Sequence, residues 1–71
     1  MKKYLIITEK TDTGFSAYVP DLPGCIATGG TKNDVEKNIY EAIRFHLEGL
    51  EEEGIDIPEG KSEAKILVFG T

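Results

Sequence analysis

Few residues of this chain could do chemistry: one histidine, His46, one cysteine, Cys25, and a crowd of carboxylates in the second half. A thiol and an imidazole can act as nucleophile and base when a third group orients the imidazole, and no such group is identifiable here. Cys25 follows Pro23-Gly24 into an apolar run and reads as a small packing residue. His46 falls near the centre of an apolar helical arc, between Val35 and Ile39, the place of a packed histidine. A zinc site takes three or four ligands, and with one histidine and one cysteine no metal or other cofactor is expected. Gly29-Gly30-Thr31 leads into a helix, where free amides can hold an anion. It lacks the lysine of a phosphate loop and the third glycine of a dinucleotide fingerprint, so it reads as a turn. Carboxylates for metal-assisted hydrolysis would have to project from strand centres or facing elements; the first strand has none at its middle, and the helix acids cluster on the solvent side. No catalytic residue is expected, and the chain reads as a non-enzyme.

The charge pattern says more. The net charge of −5 is unevenly spread. Basic and acidic residues balance over positions 1–40, whereas Glu41, Glu48, Glu51, Glu52, Glu53, Asp56, Glu59 and Glu63 outnumber Arg44, Lys61 and Lys65 beyond them. An acidic surface repels phosphates, so direct nucleic-acid binding is not expected, while a basic protein would be attracted. No apolar run reaches the roughly 18–20 residues of a membrane span. The apolar run after Lys2-Lys3 is too short for a secretory core. The lone cysteine leaves no internal disulfide framework, and the chain is read as cytoplasmic.

These residues must be positioned by one long helix and several short strands. Thr31 with Asp34 three residues on resembles a capping box, and Gly54 is suited to a helix end. Between them Val35, Ile39, Ala42, Ile43, His46, Leu47 and Leu50 recur at helical spacing and require a sheet to lie on. Lys3–Lys10 reads as a first strand, Thr11–Gly14 as a hairpin turn, and Phe15–Val19 as a second strand with Phe15, Ala17 and Val19 on one face. Pro20-Asp21-Leu22-Pro23-Gly24 interrupts, Cys25–Thr28 gives a third strand, and Lys65–Phe69 a fourth. The expected fold is a single α+β domain spanning residues 1–71, a two-layer β-β-β-α-β arrangement. Its four-stranded mixed sheet has order 3-2-1-4, with the helix on one face. One helix covers one face, both faces carry apolar residues, and a homodimer or higher oligomer is therefore expected.

Phe45 stands out on the helix. It projects roughly 130° from the centre of the apolar stripe, on an outer strip with Gly49 and amid charges. With Glu41, Glu48 and Glu52 it forms the expected contact surface for another chain.

The run Phe15-Ser16-Ala17-Tyr18-Val19-Pro20-Asp21-Leu22-Pro23-Gly24-Cys25, followed by Ala27-Thr28-Gly29-Gly30-Thr31, resembles the N-terminal domain of HicB-type antitoxins. So do Glu41-Ala42-Ile43, His46-Leu47-Glu48-Gly49-Leu50 and Gly54-Ile55-Asp56-Ile57-Pro58. The resemblance covers nearly the whole chain. It implies a truncated ribonuclease H-like fold without nuclease activity, and a protein that binds and masks HicA, a small basic toxin that cleaves messenger RNA. Many members continue into a helix-turn-helix or ribbon-helix-helix domain that binds the operon's promoter. The sequence here stops at Thr71, straight after the fourth expected strand, so promoter binding is not expected. The alternative reading is a stand-alone oligomeric module that binds another protein or a small ligand, without a toxin partner.

Overall fold

The computed structural model describes all 71 residues. Three short strands, β1 (Ile7–Lys10), β2 (Phe15–Tyr18) and β3 (Ile26–Gly29), precede one helix, α1 (Lys32–Glu52). The strands form an antiparallel meander in the order β1-β2-β3. The turn after β1 is closed by the Thr11 amide donating to the Gly14 carbonyl at 2.8 Å. Pairing sets Ile7 opposite Tyr18 and Thr8 opposite Ala17, and on the other side Ala17 opposite Ala27 and Tyr18 opposite Ile26. Directly opposed residues share a face. Thr8, Ala17 and Ala27 therefore look toward the helix, and Ile7, Tyr18 and Ile26 look away from it.

The helix ends follow from side-chain chemistry. Thr31 is extended and its hydroxyl accepts the Asp34 amide at 3.1 Å, capping one of the four free amides of the first turn. At the other end Gly54 takes φ +70°, and the Ile55 and Gly54 amides donate to the Leu50 and Glu51 carbonyls. That pair of bonds is a Schellman motif, and the left-handed residue it needs is the glycine.

The core is small: Ala17, Val19, Leu22, Cys25, Val35 and Ile39 are buried. The helix lies over β3 and β2. It approaches β3 so closely that a Cβ on Gly29 would meet the backbone of Asp34 and Val35. Leu22 is fully buried although it sits in an irregular loop. The loop folds inward because the Leu22 amide donates to the Val19 carbonyl and the Cys25 amide to that of Leu22, with Gly24 at φ +84° reversing the chain. Sequence periodicity has no means of marking Leu22 as core, since it belongs to no helix or strand.

One expectation is overturned. The sheet has three strands, all antiparallel, and not the four-stranded mixed arrangement of order 3-2-1-4. Lys65–Phe69 forms no backbone–backbone hydrogen bond, and Ile66, Leu67, Val68 and Phe69 are all exposed. A short run of β-branched and aromatic residues marks a segment able to become a strand, but a strand exists only where an open edge lies alongside. Here the preceding loop decides otherwise. The Asp21 carboxylate accepts the amides of Lys61 and Ser62 and the Ser62 hydroxyl, each at 3.0 Å. The Tyr4 hydroxyl donates to the Pro58 carbonyl at 2.6 Å. Gly60 packs so tightly on the backbone of Lys3 and Tyr4 that a Cβ there would overlap the Lys3 carbonyl. These contacts fix where the chain leaves the domain, and beyond Ser62 it runs past its own sheet. β1 is correspondingly shorter than the Lys3–Lys10 span expected of it.

Candidate functional site: an acidic strip on the helix

Glu41, Phe45, Glu48, Gly49 and Glu52 all lie on α1. At about 100° per residue they share one arc roughly 100° wide, on the side of the helix turned from the sheet. All five are exposed, and Phe45 retains 80% of its accessible surface. A Cβ on Gly49 would meet nothing within 4 Å, so beside Phe45 the surface is open and low. Arg44 borders the strip, its guanidinium 3.7 Å from Glu41 and 3.9 Å from Glu48. Both pairs are solvent-exposed at helical spacing and add a few tenths of a kcal/mol at most. The arrangement is an aromatic side chain framed by carboxylates on a rigid helix, suited to a partner with an apolar pocket and basic surroundings.

The residues considered for chemistry are not brought together as a catalytic group. Cys25 is buried in the core, and burial pushes its thiol up from the ordinary value. That disfavours the thiolate a nucleophile requires. His46 is half-buried on the helix stripe, at an angle between Val35 and Ile39. No group of three or more histidine, cysteine or carboxylate side chains is positioned to hold a metal ion.

Sequence reasoning missed the cluster around Asp21. Three donated hydrogen bonds stabilise its ionised form, led by the Ser62 amide, and outweigh desolvation; together with the nearby Lys61 charge they hold the carboxyl below its ordinary value. Tyr4 is shifted upward, by desolvation first and then by the Asp21 and Glu59 charges, and its hydroxyl donates to the Pro58 carbonyl. The available signal was an aspartate inside a Pro-rich turn, a residue type that often bonds backbone amides. Nothing local pointed to amides 40 and 41 positions away.

The chain is thus an open antiparallel meander under one capped helix whose outer face carries an acidic strip. The chain belongs to the family of HicB-like antitoxins of bacterial toxin–antitoxin systems, whose family model matches residues 4–67. It is similar to a UPF0150 protein of Thermoplasma acidophilum, 41% identical over 63 residues that cover 89% of this chain and 91% of that one. It is also 41% identical, over 56 residues, to a 14.9 kDa protein from the rep–hol intergenic region of Haemophilus phage HP1. That match covers 79% of this chain but only 42% of the phage protein. Among solved structures, a chain of the HicA3–HicB3 toxin–antitoxin complex superposes with a TM-score of 0.72 at 42% identity, covering 83% of this chain and 70% of that one. The antitoxin HicB3 alone matches with the same TM-score at 40% identity, over 84% of this chain and 44% of its own length.

Proposed function

We propose that this chain is a non-enzymatic antitoxin-like protein that binds and masks a small basic HicA-type toxin. The likeness to a chain of the HicA3–HicB3 complex carries the reading. The charge distribution supports it, because the acidic excess lies beyond Tyr40, on the second half of the helix and in the segment after it. A basic ribonuclease presents cations to RNA phosphates, and an acidic helix can occupy the same cations. In this reading Glu41, Glu48 and Glu52 steer the encounter, and Phe45 beside Gly49 supplies the apolar anchor. No helix of the chain is long and apolar enough to cross a membrane, and the proposed site of action is the cytoplasm, where messenger RNA is cleaved.

Co-expression tests this directly. Co-expressed with a candidate HicA-like toxin, the chain is expected to restore growth and to co-purify as a complex. A toxin that still arrests growth and fails to co-purify would refute the proposal. The competing reading, an oligomeric binding module without a toxin partner, would then gain.

A further inference from the structure

Two features of the chain are left without partners, and they fit each other. One is Lys65–Phe69, whose backbone forms no backbone hydrogen bonds and whose four apolar side chains are between 65% and 92% exposed. The other is the outer edge of β1, which pairs with β2 on one side only. An unpaired edge is a template for another strand. The layer above that edge is also incomplete. The helix lies over β3 and β2 rather than β1, and only Val35 and Ile39 of its apolar stripe are fully buried, while Ile43, Leu47 and Leu50 remain half-buried.

We propose that Lys65–Phe69 of one copy pairs with the β1 edge of a second copy, and that the exchange is reciprocal. Each chain's own sheet keeps three strands, and the added strand comes from its partner. The occupant is a second copy because each chain offers one open β1 edge and one unpaired strand, so two copies joined by a two-fold axis satisfy both with nothing left over. The segment beyond Ser62 carries one acid, Glu63, and one base, Lys65. It therefore offers a basic partner no electrostatic attraction, unlike the acidic helix strip. Asp21 holds Lys61 and Ser62, and beyond them the segment forms no backbone hydrogen bond with its own sheet. From Ser62 to Phe69 an extended chain spans about 23 Å, enough to cross to a neighbour. The overall dimensions agree: the long axis is 50 Å against 26 and 19 Å. The radius of gyration, 14.0 Å, exceeds the ~11 Å usual for a compact domain of this length.

Sedimentation of the full chain across a concentration series is the first test, and it needs no toxin, so its outcome is independent of the antitoxin reading. A dimer of twice the 7.8 kDa monomer mass is expected. Leu67→Pro, which removes a backbone donor, and Val68→Asp should each reduce it to the monomer mass while the helical circular dichroism signal persists. The second test mixes chains carrying Ile7→Cys or Thr8→Cys with differently tagged chains carrying Leu67→Cys or Val68→Cys, which samples both faces of the pleat. A disulfide joining the two tags is expected in at least one pairing. A wild-type monomer at every concentration, a dimer unmoved by Leu67→Pro, or cross-links confined to tail–tail pairs or to single chains would overturn the proposal.

Discussion

At the scale of single residues, the molecule depends on a few side chains that lie outside its regular elements. Leu22 is fully buried from a loop, so Leu22→Ala removes core volume the surroundings cannot readily refill. Chemical denaturation should show a loss of about 2–5 kcal/mol; a loss below that of an exposed substitution would mean the loop collapses to fill the space. Asp21 organises the departure of the C-terminal segment by accepting three donors as a carboxylate. Its pKa in the fold is depressed, so the contribution of this hold is fully present above the unfolded value and disappears as pH falls through the folded one. The Lys61 and Ser62 amide resonances should therefore titrate together with a midpoint below 3.8, the ordinary aspartate value. In Asp21→Asn that titration should vanish. Amides that stay unchanged down to the acid unfolding transition would show that the carboxylate does not hold the segment in solution.

At the scale of elements, α1 separates two roles by angle. Val35 and Ile39 bind the sheet and the strip around Phe45 faces solvent, while Gly54 ends the helix just past its last turn. Gly54→Ala forces a side chain into the left-handed region and should cost about 1 kcal/mol in thermal or chemical unfolding. The strip should behave differently. Phe45→Ala and Glu48→Lys touch nothing in the core and should leave unfolding within about 0.5 kcal/mol of wild type. If the toxin reading holds, Phe45→Ala should weaken the complex about tenfold, mainly through faster dissociation. Glu48→Lys should slow association and flatten its salt dependence. Calorimetry and stopped-flow binding at two ionic strengths would separate these effects, and equal affinities for all three proteins would place the contact elsewhere. Most of the helix was legible in the sequence, since Thr31, the apolar spacing and Gly54 each act within one turn of themselves. The fourth expected strand was misread for the converse reason, because pairing is not a local property.

At the scale of the whole molecule, a core of six buried residues is thin for 71, and small domains commonly need a further source of burial. The exposed segment Ile66–Phe69 and the open β1 edge are where that burial is available. Small-angle scattering on a dilute monomer should return a radius of gyration near 14.0 Å, and a value near the ~11 Å of a compact chain would place the segment back on its own sheet. The sequence by itself determined the helix and its caps, the hairpin, the inward face of β2 and the acidic second half, because each depends on neighbours or on period. It also carried the family resemblance in its turn motif. Only the tertiary structure decided that Leu22 is core, that Asp21 reaches across 40 residues to pin Lys61, and that Lys65–Phe69 stays out of the sheet. Those outcomes rest on which distant groups meet in space, and neither propensity nor periodicity encodes such meetings.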